Sequence, residues 1–135
     1  MPFVLDASIA ASWAFEDEDH PTASLALEWL RTDEALVPSL WWFEVRNTLI
    51  VSERRGRLTE ADTAAFLRGL SRLGVIVDRA PDEAAVLTLG RRHRLTVYDA
   101  SYLELAQRET LPIATLDKDL RAAAQAAGTA LLGES

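Results

Sequence analysis

The sequence predicts an α/β protein: a three-layer α/β/α sandwich around a central parallel sheet. Short apolar runs of strand length alternate along the chain with longer stretches that repeat apolar residues at helical spacing. Parallel strands need a crossover connection, usually a helix, so this alternation predicts parallel strands covered by helices on both faces. The length of 135 residues, with 49% hydrophobic and 26% charged residues, fits one globular domain over residues 1–135.

Five elements are predicted in the first part of the chain. The run FVLD has the length and apolarity of a short buried strand, and Pro38 ends the second strand. Ser39 is the expected cap of the long helix that follows, and Gly56 is its expected stop. In order, the elements are strand 3–6, helix 7–15, helix 22–32, strand 35–39 and helix 39–58.

Seven more elements are predicted in the rest of the chain. Thr59 with Asp62 resembles a cap for the first of these helices, Asp82 opens the next, and Gly128 ends the last. In order, the elements are helix 60–73, strand 74–78, helix 83–94, helix 98–109, strand 112–115, helix 118–128 and strand 129–133.

Composition excludes several kinds of chemistry. The chain has no cysteine, which excludes disulfides, thiolate catalysis and cysteine-based zinc sites. No apolar run approaches a membrane span and the N-terminus has no basic leader, so we expect a cytoplasmic protein without a membrane partner. The net charge of −7 is unusual for a nucleic-acid binder. Either the protein avoids nucleic acid, or its acidity is concentrated in a site that a cation neutralises.

Three aspartates follow apolar runs at strand ends or helix starts. Asp6 closes FVLD, Asp99 follows LTVY, and Asp117 follows IATL. In open parallel sheets, sites form at the carboxyl ends of the strands, where such residues would meet. Each aspartate taken alone is better explained as a helix cap, because its side chain can accept hydrogen bonds from the first turn.

Glu44 cannot be explained as a cap, because it lies in the middle of the long helix. At about 100° per residue, Leu40, Glu44, Asn47 and Val51 share one stripe, away from the expected solvent face. A buried carboxylate must be paired with a cation, protonated or bound to a metal. A structural ion pair with an arginine and a place in a site are equally open for Glu44 at this point.

Converging carboxylates repel one another and raise their own pKa values, and a divalent cation relieves that repulsion. Magnesium prefers oxygen ligands and is typically held by a few carboxylates together with water. Such an ion supports hydrolysis of phosphate esters without a histidine or cysteine nucleophile. The carboxylates therefore indicate a metal-dependent phosphodiesterase chemistry.

With these residues in place, the chain resembles a PIN-domain ribonuclease, and most closely a VapC-type toxin of a type II toxin–antitoxin pair. The resemblance covers essentially the whole chain. The four matching motifs are VLDAS with Asp6 and Ser8, EVRNTL with Glu44 and Asn47, VYDASYLELA with Asp99, and ATLDKDL with Thr115 and Asp117. It implies a single PIN-like α/β/α domain with an endoribonuclease site that depends on Mg²⁺ or Mn²⁺.

The resemblance also implies roles for the matching residues. Asp6 and Asp99 would be the main metal ligands, and Glu44 and Asp117 would complete the acidic pocket. Three further residues would hold carboxylates or water in place: Ser8, Asn47 and Thr115. Six arginines could form a phosphate-binding rim for RNA: Arg46, Arg54, Arg55, Arg91, Arg92 and Arg94.

Two protein partners are implied as well: a cognate antitoxin and a second copy of the chain. Aromatic residues concentrate at interfaces, so the four tryptophans are candidates for such contacts, although core packing is the simpler explanation for at least two of them. They are Trp13, Trp29, Trp41 and Trp42.

One alternative class is a receiver-like phosphoacceptor domain for signalling. Asp78 after the third strand would be the acceptor, with Thr115 and Lys118 nearby. The first strand carries one acidic residue where such modules usually carry a pair, which disfavours this class. Within PIATLDKDL, we expect Asp117 to face the crevice, and Asp119, about 200° further around the helix, to point elsewhere and take the capping role.

Overall fold

A four-stranded parallel sheet forms the centre of the molecule, in a computed structural model that describes residues 1–134. Its strands are β1 Phe3–Leu5, β2 Ala35–Pro38, β3 Val75–Asp78 and β4 Ile113–Ala114. The strand order is β3-β2-β1-β4, and every neighbouring pair is parallel. The predicted parallel sheet is therefore confirmed.

Seven helices flank this sheet in the described part of the chain. They are α1 Ala7–Ser12, α2 Pro21–Trp29, α3 Leu40–Arg54, α4 Glu60–Leu70, α5 Glu83–His93, α6 Val97–Glu109 and α7 Lys118–Ala126. The connections β1–β2 and β2–β3 run in one direction along the sheet, whereas the connection β3–β4 runs back. Because such crossovers are right-handed, this reversal puts the intervening helices on opposite faces and gives the predicted three layers.

The core lies on both sides of β1. Phe3, Val4 and Leu5 are all fully buried, as expected for a central strand that is covered on both faces. Val45 of α3 and Leu103 of α6 are fully buried as well. The sequence FVL is continuously apolar because neither face of this strand meets water.

Local signals in the sequence set most helix ends. Thr59 accepts a hydrogen bond from the amide of Asp62, whose carboxylate accepts from the amide of Thr59, so the predicted capping box is present. Asp82 caps α5 through the amide of Ala85. Gly56 follows the end of α3 with a φ of +74°, a conformation that favours glycine.

Two local predictions are wrong and one is shifted by a residue. Ser39 precedes α3 with helical dihedrals and makes no capping hydrogen bond through its side chain. Residues 129–133 form no strand: Leu131 is buried and makes one parallel bridge to Ile113. The helix predicted over residues 98–109 begins one residue earlier, at Val97, with Thr96 as its cap.

The sheet reverses its direction of growth between β1 and β4. The chain leaves β1 towards β2 and returns to place β4 on the other side. A crevice opens at the carboxyl ends of two such strands, and this is where sites form in open α/β sheets. Asp6 directly follows β1, and Thr115 directly follows β4.

Among residues 1–134, no helix is long and apolar enough to cross a membrane.

Candidate active site

Asp6 lies in this crevice with its carboxylate held by two hydroxyl groups. The hydroxyl of Ser8 donates to Oδ2 at 2.7 Å, and that of Thr115 donates to the same oxygen at 2.6 Å. Asp6 occupies the position before α1, yet its side chain makes no capping hydrogen bond. Burial raises the pKa of Asp6, which the two hydroxyls partly oppose and the charge of Asp117 reinforces. Its side chain therefore does not cap α1, although the backbone amide of Ala7 also lowers the pKa of this carboxylate.

The same two hydroxyls fix the turn between β4 and α7. Ser8 Oγ accepts a hydrogen bond from the amide of Leu116 at 3.0 Å, and Thr115 Oγ1 accepts from the amide of Asp117 at 3.0 Å. Each hydroxyl thus uses its hydrogen for Asp6 and a lone pair for the turn. The structure places Ser8 and Thr115 beside a site carboxylate, and it places Asp117 at a fixed position relative to Asp6.

Glu44 lies half-buried on the flank of α3. The hydroxyl of Tyr102 donates to its Oε1 at 2.6 Å. Burial raises the pKa of Glu44, as do the charges of Asp6, Asp99 and Asp117, while the Tyr102 hydrogen bond opposes the shift. In the described chain Glu44 has no ion-pair partner, so the arginine alternative is not what the structure contains.

Asn47 is placed differently from the prediction. The buried stripe of α3 consists of Trp41, Val45, Leu49 and Ser52, and Asn47 is exposed. It lines an open cleft of about 360 Å³ together with Ser8, and within residues 1–134 its side chain makes no hydrogen bond to a carboxylate. The predicted stripe was wrong in phase, which puts Glu44 at the edge of the buried face and Asn47 outside it.

Asp99 is the second carboxylate that does not serve as a cap. It lies in the first turn of α6, where Thr96 is the capping residue and accepts a hydrogen bond from the Asp99 amide at 3.1 Å. Its carboxylate has no hydrogen-bond or ion-pair partner in the described residues. Burial, followed by the charges of Asp117, Asp6 and Asp119, raises the pKa of Asp99 to about 6.

The assignments of Asp117 and Asp119 need a correction. Asp117 is the residue that caps α7, because its Oδ1 accepts a hydrogen bond from the amide of Leu120 at 2.9 Å. Its charge still raises the pKa values of Asp6, Glu44 and Asp99. Asp117 therefore caps α7 and its charge also acts on the other carboxylates, whereas Asp119 is an exposed first-turn acid without the capping bond whose charge acts on Asp99 alone among them.

Tyr102 is the residue that sequence reasoning missed. It is fully buried, and its hydroxyl bonds both Glu44 and the backbone amide of Ala7, the latter at 3.3 Å. The available signal was its spacing, because a residue three positions after Asp99 lies on the same face of a helix. Its position in YDASYLELA also suits a core tyrosine, so the spacing alone does not distinguish the two roles.

The donor set fits a small divalent cation. Asp6 and Asp99 offer carboxylates, and both Ser8 and Thr115 contact only Oδ2 of Asp6, so neither hydroxyl covers Oδ1. In residues 1–134 no three acidic or histidine side chains are arranged to bind one ion together. Mg²⁺ in proteins is commonly coordinated by one or two carboxylates together with water and substrate phosphate.

The structure also shows where the six arginines of the expected phosphate-binding rim and the alternative acceptor Asp78 lie. Arg46 lies over the ring of Trp42 at 4.0 Å, two residues from Glu44. The remaining arginines of the expected rim are exposed: Arg54, Arg55, Arg91, Arg92 and Arg94.

Asp78, the acceptor in the receiver-like alternative, lies at the end of the edge strand β3. Its carboxylate forms an ion pair with the guanidinium of Arg108 through two hydrogen bonds of 2.8 and 3.1 Å. That ion pair lowers the pKa of Asp78 and gives it a structural role.

The raised pKa of Asp99 predicts how stability depends on pH without divalent cations. On folding, this pKa rises from 3.8 to about 6, so between these pH values the folded protein holds more protons than the unfolded chain. The free energy of unfolding should therefore fall as the pH rises through this window. Chemical unfolding in the presence of a chelator, at a series of pH values, measures this dependence of the free energy of unfolding on pH. Asp99→Asn should flatten the fall strongly, and Asp119→Asn, which removes only the smallest of the charge contributions to this pKa, should flatten it much less. A wild-type stability that rises across the window contradicts the assignment.

A comparison with known protein families agrees with this parallel α/β/α sandwich. The PIN domain family model matches residues 3–126. The chain therefore belongs to the PIN-domain family. It is 32% identical to Ribonuclease VapC3 from Pyrobaculum aerophilum over 124 residues, which cover 89% of this chain and 92% of that protein.

A solved structure supports the fold independently. The crystal structure of PAE2754 from Pyrobaculum aerophilum has a TM-score of 0.72 to this chain, with 24% sequence identity, and the match covers 91% of this chain and 84% of that chain. At this identity the likeness concerns the fold alone.

Proposed function

We propose that this protein is a metal-dependent endoribonuclease and acts as the toxin of a toxin–antitoxin pair. One observation carries the proposal: Asp6, Glu44 and Asp99 come from three separate elements, yet the charges of Asp6 and Asp99 raise the pKa of Glu44 and the charge of Asp6 raises the pKa of Asp99, as expected of carboxylates that share one pocket. A pocket of this kind favours a divalent cation. The similarity to a protein named as a ribonuclease supports RNA as the substrate.

In this proposal the four carboxylates have different roles. Asp6 and Asp99 hold Mg²⁺ or Mn²⁺, because neither side chain caps its helix. Glu44 binds Tyr102 through Oε1, which leaves Oε2 to orient and deprotonate the attacking water. A bound ion would supply Lewis-acid polarisation of the phosphate and a more acidic water. Asp117 adds charge to the pocket while its Oδ1 fixes the start of α7.

Ser8 and Thr115 orient the carboxylate of Asp6 through Oδ2, and groups that orient a ligand in this way affect metal affinity. Asn47, exposed in the cleft beside Ser8, is positioned to meet substrate rather than to hold a carboxylate. The exposed arginines are the candidates for contacts with RNA phosphates, which an overall acidic surface does not otherwise favour.

Two protein partners, a cognate antitoxin and a second copy of the chain, are part of the proposal, as is a cytoplasmic location. Of the four tryptophans, Trp41 is buried, and Trp13 and Trp29 pack against the core. Trp42 and its neighbour Phe43 are exposed at 48% and 68%. Adjacent exposed aromatic rings near the start of α3 support a contact surface there, because aromatics are enriched at interfaces.

The test is incubation of purified protein, freed of any bound partner, with a mixture of RNAs and Mg²⁺ or Mn²⁺. We expect RNA fragments with the ion. The same fragments should be absent when an inactive Asp6→Asn protein, prepared in parallel, replaces the wild type. Failure to cleave any RNA in a broad mixture would overturn the proposal. A stable phosphoryl group on Asp78 after treatment with a small acyl phosphate would favour the receiver-like class instead.

The two aspartates of the β4–α7 turn should differ in their importance for cleavage. Asp117→Asn keeps a good cap but removes a charge from the pocket, so we expect cleavage to slow by about 10- to 100-fold. Asp119→Asn removes an exposed, screened charge on the same helix and should change the rate by about twofold or less. Single-turnover cleavage rates measure both. A loss for Asp119→Asn as large as that for Asp117→Asn would show that the wrong carboxylate was assigned.

A further inference from the structure

The hydroxyl of Tyr102 is a buried group that joins three elements of the pocket. Tyr102 lies on α6, one helical turn after Asp99, and its ring is fully buried. The hydroxyl accepts a hydrogen bond from the amide of Ala7 at 3.3 Å and donates to Oε1 of Glu44 at 2.6 Å. It therefore connects the start of α1, next to Asp6, with the second turn of α3.

We infer that Tyr102 is a positioning residue that fixes the carboxylate of Glu44 relative to Asp6 and Asp99, and so sets the geometry in which the pocket binds its cation. The inference rests on the proposed function and extends it to a residue that contacts neither ion nor substrate. Its basis is that the two hydrogen bonds of one rigid, buried ring link Glu44 to the element that carries Asp6.

A tyrosine suits this task better than a basic residue. An arginine or lysine beside Glu44 would neutralise its charge and weaken the attraction of the pocket for a cation. The neutral phenol donates a short hydrogen bond to Glu44 and leaves the negative charge in place. The amide of Ala7 belongs to the first turn of α1, where amide hydrogens lack partners within the helix, and its bond to the phenol oxygen strengthens the donation to Glu44.

Tyr102→Phe tests the inference, because it removes the hydroxyl and keeps the ring in the core. We expect the cleavage rate to fall by about 10- to 100-fold and Mn²⁺ affinity to fall by about 10-fold. Mn²⁺ binding is measured by calorimetry or by the magnetic-resonance signal of free Mn²⁺, without RNA. The control is Ser101→Ala, which removes a hydroxyl bond to the carbonyl of Val97 on the same helix. Equal effects of the two substitutions would overturn the inference.

A double-mutant cycle with Glu44→Gln separates positioning from a general effect on the fold. If Tyr102 acts through Glu44, adding Tyr102→Phe to Glu44→Gln should lower Mn²⁺ affinity by about twofold or less, because coupled residues are not additive. If Tyr102→Phe lowers affinity by the same factor in both backgrounds, Tyr102 acts on the fold as a whole and the inference is wrong.

Nuclear magnetic resonance of the wild-type protein adds a measurement that does not need the Tyr102 variant to fold. A buried hydrogen bond of this length should give a downfield, slowly exchanging hydroxyl proton, and Glu44→Ala should remove that signal. Persistence of the signal in Glu44→Ala would contradict the contact. Because the Mn²⁺ and resonance measurements use no RNA, they test Tyr102 even if the wild-type protein fails to cleave RNA, which would be a failure of the proposed function.

Discussion

Asp6→Asn and Asp99→Asn should each lower the rate of RNA cleavage by on the order of 10³-fold. Both substitutions keep the size of the side chain and remove the charge that a divalent cation requires. Asp6 and Asp99 are the two pocket carboxylates that do not cap a helix, so they carry the strongest case for direct contact with the ion. Cleavage rates under single-turnover conditions with saturating Mg²⁺ measure the effect.

The folded state provides the control for these two variants. Neither carboxylate makes a capping hydrogen bond or an ion pair in residues 1–134, and burial disfavours the charged form of each, which raises its pKa. Both variants should therefore fold, and without divalent cations at neutral pH Asp99→Asn should melt at or above the wild-type temperature, because repulsion in the pocket is relieved. Variants that fold like wild type and still cleave at the wild-type rate would show that the site lies elsewhere.

Removal of divalent cations should abolish cleavage by the wild-type protein. Without a cation the pocket concentrates the charges of four carboxylates where the RNA phosphate must enter, and nothing polarises that phosphate. Treatment with a chelator should reduce cleavage to the background of the Asp6→Asn protein, and added Mg²⁺ or Mn²⁺ should restore it. Melting temperature should rise with the added ion in wild type, since binding to the folded state stabilises it.

The same titration in Asp99→Asn is the matched comparison. If Asp99 binds the ion, the increase in melting temperature should require much higher ion concentrations in this variant. Undiminished cleavage by wild-type protein in excess chelator would refute metal dependence. An identical response of Asp99→Asn and wild type would instead remove Asp99 from the ion site and leave the nuclease proposal standing.

Much of the fold could be predicted because its signals are local. The alternation of strand-length and helix-length apolar patterns predicted the parallel sheet, and the capping box of Thr59 and Asp62 marked the start of α4. The start of α6 is predicted one residue late, because its capping signal, Thr96 followed three positions later by Asp99, lies within the apolar run LTVY. Leu131 is buried beside Ile113 without a full strand, and hydropathy cannot distinguish burial from strand pairing.

The pocket was predictable only in part. Topology brings the residues after β1 and β4 together, so Asp6 and Asp117 could be placed from strand order alone. The contact between Glu44 and Tyr102 spans 58 positions and depends on how α3 and α6 pack, which no local pattern encodes. Asn47 was misplaced because adjacent tryptophans at the start of α3 left the phase of its buried face ambiguous.

The double role of Asp117 shows a further limit of sequence reasoning. Sequence reasoning takes helix capping and membership of a site as alternatives, yet Oδ1 of Asp117 caps α7 while its charge acts on Asp6 and Asp99. A carboxylate has two oxygens and one charge, so a hydrogen bond at one oxygen does not remove the residue from a site. At the carboxyl end of a strand, where a helix begins, the two roles coincide naturally.

The most direct measurement is anomalous X-ray diffraction from a crystal of the wild-type protein soaked in Mn²⁺. The signal identifies the ion and its ligands without reliance on activity. We expect a peak in the crevice between the ends of β1 and β4, coordinated by the carboxylates of Asp6 and Asp99, and no such peak in crystals of Asp6→Asn soaked in the same way. A pocket without a peak, in a protein that cleaves RNA with Mn²⁺, would contradict the assignment of these carboxylates.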